Sequence, residues 1–502
     1  MSEIKRGKSF TWVWISSTIL LCGLFTFAII PSVAAQGSSS SGLSGTNQTQ
    51  QNRRYNSIMQ NVFDFIQRNY VDEVDARVLF EGAMNGMLNA LEDPYSSFLS
   101  ESDMSSMNDT TQGSFGGVGL NITKAVTPRP DGKPMWVEVA SPIEDTPGWR
   151  AGINPGDFIV EIDGTPTENI SMDEVLSILR GTPGTNVRLL IRRGERMEFP
   201  VTITRAIIEV PTAKHAMIGD TGYLKLLTFT PMTADRARDA INEFRGNNYK
   251  NLILDLRNNY GGLLNSAVDI SSLFLDGGSV VSIKSRIPSE NRDFSARRSS
   301  LVPANIPIIV LINRGSASAS EIVAGALKDR GRAYLVGERT FGKGSVQQVY
   351  PLDGTGFRLT TARYYTPSDV NIDKIGIPPD REVKFPEYTE EDAIKMNELI
   401  NANTIPEFAQ RNPHANAAQI ETFAIGLERE YHLDLALLKR MIRNELNRTV
   451  IAPVYDLEYD VQLQEALNIL QSGNYPALLR NSKTLKALQE EAEKELPIAL
   501  AS

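Results

Sequence analysis

Apolar and polar positions change rhythm several times along this chain. From Phe10 to Ile30 the residues run almost without charge, and Pro31-Ser32-Val33-Ala34-Ala35-Gln36 follows. Gly37 to Gln51 is rich in Ser, Gly, Asn and Gln with no apolar period, which predicts a flexible tether. From Tyr55 to Leu91, Ile58, Val62, Phe65, Ile66, Val78, Leu79, Met84, Leu88 and Leu91 recur at helical spacing. Two helices are expected there, stopped by Glu92-Asp93-Pro94. Asp109 to Ser114 reads as a polar loop. Phe115 to Arg205 has the texture of short strands, many glycines and one helix over Met172 to Leu179. From about Ile207 to Pro386 strands alternate with helices. Leu252 to Leu256 and Ile308 to Ile312 are continuous apolar runs, the mark of strands buried on both faces. Glu390 to Ser502 turns mostly helical, as in Leu435 to Ile442.

Composition narrows the chemistry. The chain has 502 residues, 41% hydrophobic and 22% charged, which excludes wholesale disorder and a multi-span membrane protein. Its net charge is −9, and Lys5, Arg6 and Lys8 make the N-terminus basic, so the body is more acidic still. Such a body is a poor partner for nucleic acid. Cys22 is the one cysteine and lies in the N-terminal apolar run. The body therefore has no disulfide, thiolate metal site or cysteine nucleophile. His215, His414 and His432 are the only histidines, which all but excludes a multi-histidine metal centre. His414 and His432 read as surface or core residues, not ligands.

The basic start, the apolar run and the small residues after it read as an export signal. The run is also close to the ~20 residues that span a bilayer, so an uncleaved anchor with the body outside fits as well. A lipoprotein site at Cys22 fits less well, because the apolar run continues past it.

Within the glycine-rich stretch, Phe115-Gly-Gly-Val-Gly-Leu120 precedes strand-like Asn121-Ile122-Thr123. Arg150-Ala-Gly-Ile-Asn-Pro-Gly-Asp-Phe-Ile-Val-Glu-Ile-Asp-Gly164 comes later. This order resembles a PDZ domain of the kind found in bacterial proteases. The resemblance implies that a substrate's C-terminal strand adds beside the loop Val118-Gly119-Leu120, whose N–H groups hold its carboxylate. Val175 and Leu179 on the helix would line the groove for the last side chain. A small barrel with a tight glycine turn and no ligand is the alternative.

Three further segments carry candidate chemistry. Leu256-Arg-Asn-Asn-Tyr-Gly-Gly-Leu263 follows a buried strand, and Asn313-Arg-Gly-Ser-Ala-Ser-Ala-Ser-Glu-Ile322 runs from strand into helix. Thr340-Phe-Gly-Lys-Gly-Ser-Val-Gln-Gln348 is the third. A serine at a helix N-terminus sits where free N–H groups favour developing negative charge. By itself this segment also fits capping by Ser316, Ser318 or Ser320. Gly337 to Lys343 imitates the start of a phosphate-binding loop. Gly344 stands where a hydroxyl is needed, and strand-like residues follow instead of a helix. With histidine nearly absent, a serine needs another base. Lysine can serve if burial pushes its pKa toward neutrality, at about 4 kcal/mol. Gly342 and Gly344 allow tight packing around Lys343, with Phe341 and Val346 as apolar neighbours. Gln347 falls at i+4, on the same strand face.

Together these segments resemble the carboxyl-terminal processing (tail-specific) serine proteases along residues ~55 to 385. The resemblance implies that Ser318 is the nucleophile, 25 residues before Lys343 as in the family. It implies that Lys343 is the general base, Gln347 its orienter, and the N–H groups of Gly262 and Ala319 the oxyanion hole. It implies no cofactor and no metal. Asp93 to Leu99 and Gly376 to Asp380 look like structural family stretches. Tyr260 departs from the small residue or proline usual before the double glycine, which bears on specificity.

The expected fold is α+β and multidomain. A signal or anchor (1–35) and linker (36–52) precede a helical region (53–112) and a PDZ-like domain (113–205). A crotonase/ClpP-like ββα protease core (206–389) and a helical extension (390–502) follow. The extension reads as a packing surface: dimer arm, cap or partner site. The expected function is an exported serine endopeptidase, periplasmic or held on the outer face of the cytoplasmic membrane. It would cut proteins near exposed C-terminal tails, with the PDZ domain binding those tails and gating activity. The partners are protein substrates, with a homo-oligomer and an N-terminal membrane anchor left open. A non-catalytic PDZ adaptor or chaperone at the membrane is the rival, and a crotonase-type acyl-thioester enzyme a more distant one.

Overall fold

The computed structural model describes residues 45–104, 107, 113–125, 134–194, 197–386, 388–447 and 454–495. The apolar run at 10–30 lies outside them, as does most of the polar loop expected at 109–114. No helix among the described residues is long and apolar enough to cross a membrane.

The first helix spans Gly45–Asn69 and the second Ala76–Asn89. The tether expected up to Gln51 is thus helical from Gly45. Glutamine is a good helix former, and a helix nucleated by the apolar period extends into it at little cost. Asp75 caps the second helix by accepting from the Arg77 N–H at 2.8 Å. Strand Ser97–Leu99 then pairs antiparallel with the long strand Thr355–Tyr365.

The glycine-rich module hangs on a two-stranded stem, Ser114–Gly117 against Ala206–Glu209. Its sheet runs Leu120–Lys124, Val137–Pro142, Phe158–Ile162, Asn186–Arg193 and Met197–Thr204 in spatial order. Helix Met172–Leu179 has the predicted bounds, set by a capping box between Ser171 and Glu174. Val118, Val175 and Leu179 join Val137, Ile159 and Leu189 in one buried cluster.

The core holds a six-stranded sheet in the order Ala213–Ile218, Thr221–Leu226, Asn251–Asp255, Ile308–Ile312, Tyr334–Gly337, Arg381–Glu382. All neighbours after the first pair are parallel. Helices Thr233–Gly246, Leu264–Phe274 and Ala319–Asp329 bury one face. Helices Val461–Gln471 and Tyr475–Asn481 of the extension bury the other, setting Leu463, Ala466 and Ile469 on Ile253, Ile309 and Leu311. This double cover explains the apolar runs Ile308–Ile312 and Leu252–Leu254 in the central strands. A second sheet joins Ser97–Leu99, Thr355–Tyr365, Ser279–Ser285 and Arg292–Ser295, with Ser345–Leu352 also paired to Thr355–Tyr365. The helices between Glu390 and Leu446 bury their own cluster around Leu399, Leu427, Leu438 and Ile442. The architecture is α+β and multidomain.

Candidate active site

Three loops meet at the C-terminal ends of the parallel strands. The first leaves strand Asn251–Asp255 and turns through Asn258, Gly261 and Gly262, all at positive φ (57°, 104° and 145°). A Cβ on Gly262 would lie 2.2 Å from the Phe229 carbonyl oxygen, and one on Gly261 2.9 Å from the Ser318 Cβ. Glycine is therefore required here by both conformation and close approach. The Gly261 N–H donates to Asn259 Oδ1 at 2.9 Å. The N–H groups of Gly262 and Ala319 have no hydrogen-bond partner among the described residues. Tyr260 is 37% exposed and so is not buried beneath the loop.

The second loop links strand Ile308–Ile312 to helix Ala319–Asp329. Its three serines divide the work. Ser316 Oγ donates to the Leu256 carbonyl at 2.8 Å and Ser320 Oγ to the Asn259 carbonyl at 2.7 Å, so both lash this turn to the glycine loop. Ser318 does neither. It occupies the helix N-cap position at φ 54°, ψ −113°, a conformation few non-glycine residues adopt. The Glu321 N–H donates to the Ser318 carbonyl at 2.9 Å. The buried Tyr364 hydroxyl has no hydrogen-bond partner among the described residues.

The third loop carries Lys343, whose side chain is 2% exposed. Gly342 and Gly344 pack where a Cβ would meet the backbone nitrogens of Ile375, Gly376 and Asp373. Val346 is buried, but Phe341 is 48% exposed and lies outside the dry surroundings expected of it. The face argument for Gln347 also needs correction. Lys343 precedes the strand, and a register shift between Val346 and Gln347 resets the alternation. Gln347 is buried, and its Nε2 donates to Ser345 Oγ at 2.9 Å and Thr360 Oγ1 at 3.2 Å.

Two residues at the site escaped the sequence reading. Glu321 is fully buried and joins the second and third loops. Its Oε2 accepts the N–H of Ser318 and the N–H of Lys343, each at 2.9 Å. Its Oε1 accepts Thr340 Oγ1 at 2.6 Å and the Gly342 N–H at 2.7 Å. Burial pushes this carboxyl above the ordinary range, against four donated bonds that pull it down. The signal was present, since Ser318-x-x-Glu321 has the spacing of a capping box. Tyr95 is the other, its ring centroid 4.7 Å from Lys343 Nζ. Nothing local in Asp93 to Leu99 announces that role. Arg358 Nε and the Thr360 N–H reach across from the neighbouring strand to the Tyr95 carbonyl and Ser96 Oγ and fix it.

The histidines are elsewhere. His215 meets Glu243 at 2.9 Å, and His432 ends a helix in the left-handed region. Among the described residues no cluster of His, Cys, Asp or Glu could hold a metal ion.

Comparison with known proteins places this arrangement. Residues 220–383 match the model of peptidase family S41, residues 138–193 a PDZ domain, and residues 19–103 the activating protease CtpB N-terminal domain. A carboxy-terminal-processing protease of Bartonella bacilliformis is 42% identical over 331 residues, 65% of this chain and 74% of that protein. The chloroplastic carboxyl-terminal-processing peptidase 2 of Arabidopsis thaliana is 39% identical over 59% of each chain. A probable CtpA-like serine protease of Staphylococcus aureus is 32% identical over 84% of this chain and 80% of its own. Among solved structures, a photosystem II D1 C-terminal processing protease shares 32% identity over 65% of this chain and 92% of its own, with a TM-score of 0.40. The family matches and these relatives define a serine-type protease with a PDZ domain. The chain belongs to the carboxy-terminal-processing proteases of peptidase family S41.

Proposed function

We propose that this protein is an exported endopeptidase that cuts protein chains near their C-termini through Ser318 and Lys343. The observation that carries the reading is the single Glu321 oxygen accepting the N–H of both residues, which holds the two loops within one carboxylate's reach.

In the reaction, Ser318 Oγ attacks the scissile carbonyl carbon while Lys343 Nζ takes its proton. A fully buried amine favours the neutral form that this step requires. The resulting oxyanion faces the unpartnered N–H groups of Gly262 and Ala319 at the start of a helix. The C–N bond then breaks, and the Lys343 ammonium returns the proton to the departing amine. Water then attacks the acyl carbon while Lys343 takes its proton, the ester C–O bond to Ser318 Oγ breaks, and the Lys343 ammonium returns the proton to Ser318. The Tyr95 ring face lies where positive charge appears on Nζ, and it stabilises that charge as the proton arrives. Buried Gln347 sits beside this loop and orients the amine.

The PDZ domain receives the substrate tail at Val118-Gly119-Leu120. The Val118 and Gly119 carbonyls are tied down by Gly148, Ile143 and Thr146, and a Cβ on Gly119 would sit 2.2 Å from the Thr146 Cβ. Gly119→Ala is expected to weaken binding of a C-terminal peptide by about tenfold. Fluorescence polarisation with free and amidated peptides measures this, and the amidated peptide should bind less tightly than the free one. Export or anchoring by the N-terminal apolar run sets where substrates are met.

The test of the function is cleavage of an unfolded protein with its products mapped by mass spectrometry. Wild type should cut near the C-terminus and Ser318→Ala should not. Undiminished cleavage by Ser318→Ala removes the assignment, and a wild type that binds tails without cutting them points to an adaptor.

A further inference from the structure

The C-terminal extension reaches the glycine loop through one buried residue. Arg257 is 6% exposed and begins the loop that ends at Gly262. Its guanidinium joins two carboxylates. Toward the loop stem, Nε donates to Asp255 Oδ1 at 2.9 Å and Nη2 to Asp255 Oδ2 at 2.7 Å. Toward the extension, Nη1 donates to Asp460 Oδ1 at 2.7 Å and Nη2 to Asp460 Oδ2 at 2.6 Å. Gln462 Oε1 accepts a further bond from Nη1 at 3.1 Å. Asp460 is itself fixed, because its Oδ1 also caps helix Val461–Gln471 through the Leu463 N–H at 2.9 Å. Gln462 is fixed by donating to the Val383 carbonyl at 2.8 Å.

The loop needs such a restraint. Three of its residues are at positive φ, and Asn258 has no glycine's freedom to be there. Its own bonds run to the serine turn, through Leu256 to Ser316 and through Asn259 to Ala317 and Ser320, and to the neighbouring strand end, through Asn259 to Leu226 and through Gly261 and Leu263 to Phe229. The bidentate Arg257–Asp460 pair adds an anchor from the extension at the start of the loop, and planar paired bonds fix direction as well as distance.

We infer that Asp460 and Gln462 are positioning residues for the oxyanion loop, so that helices outside the protease core set the geometry of the Gly262 N–H. The inference rests on the Ser318–Lys343 reading of the site. The extension is then a strut of the active site and not an appendage. Asp255 still neutralises Arg257 when Asp460 loses its charge, so catalysis should suffer more than the fold.

The test compares full-length wild type with Asp460→Asn, Asp460→Glu, Gln462→Met and Glu465→Ala. Glu465 is on the same helix but pairs with exposed Arg381, and it serves as the control. The readouts are kcat and KM on an unfolded protein, the rate of Ser318 labelling by a fluorophosphonate, and the melting temperature. Asp460→Asn should lower kcat and labelling by about tenfold to a hundredfold with KM nearly unchanged, the effect of a slight misplacement of reacting groups. Asp460→Glu should recover part of the loss, Gln462→Met should show a smaller loss, and Glu465→Ala should match wild type. Losses that only follow the unfolded fraction, or a wild-type kcat in Asp460→Asn, overturn the inference. If Asp460→Asn does not fold, a wild-type kcat in Gln462→Met overturns it. A Ser318→Ala protein that labels and cleaves like wild type overturns the underlying dyad instead.

Discussion

Lys343→Met should abolish most activity while leaving the fold intact. Methionine nearly keeps the volume of the lysine stem and needs no counter-charge, and replacing a buried ionisable group by an apolar one of like size is often neutral for stability. Loss of the proposed general base should lower kcat by about a hundredfold to ten-thousandfold. KM should change little, because in the proposed mechanism the amine acts on the serine proton and not on the bound tail. Calorimetry beside steady-state kinetics separates the two effects. A melting temperature at or above wild type with kcat lost is the expected pattern.

Glu321→Gln should have the second largest effect, and it should strike stability and activity together. Four donors converge on the carboxylate. An amide offers one oxygen to them and turns its own N–H₂ toward the rest. Each buried donor left without an acceptor costs about 1–3 kcal/mol. The Ser318 and Lys343 loops share one oxygen of Glu321, so they should separate as that oxygen is replaced. Denaturant unfolding should show the loss, and kcat should fall at least tenfold in protein that is still folded, since small displacements of reacting groups are costly. A stable Glu321→Gln enzyme of normal kcat would show that the carboxylate does not set the relation of the two loops.

Much of this architecture was legible where local pattern and tertiary demand agree. Ile308–Ile312 and Met172–Leu179 have the bounds the pattern gave them, the first because both faces of its sheet are covered, the second because Ser171 and Glu174 cap it. Agreement fails where distant chain meets. Tyr95 reaches Lys343 only because strand Ser97–Leu99 pairs with residues 356–358. The bulge at Val346 and Gln347 depends on a partner strand that no window around Lys343 contains. Asp460 lies in a segment whose apolar stripe explained it fully as packing, and its bond to Arg257 spans 203 positions. Glu321 was visible as half of a capping motif, but its bonds to Gly342 and Lys343 were not.

The central claim concerns one proton transfer, and the rate of Ser318 acylation as a function of pH tests it most directly. If Lys343 is the base, acylation requires its neutral amine, so the wild-type rate should be low in acid and rise toward alkaline pH. In Lys343→Met the rate should be low and should lose that rise. Equal rates and equal pH profiles in the two proteins would contradict the account.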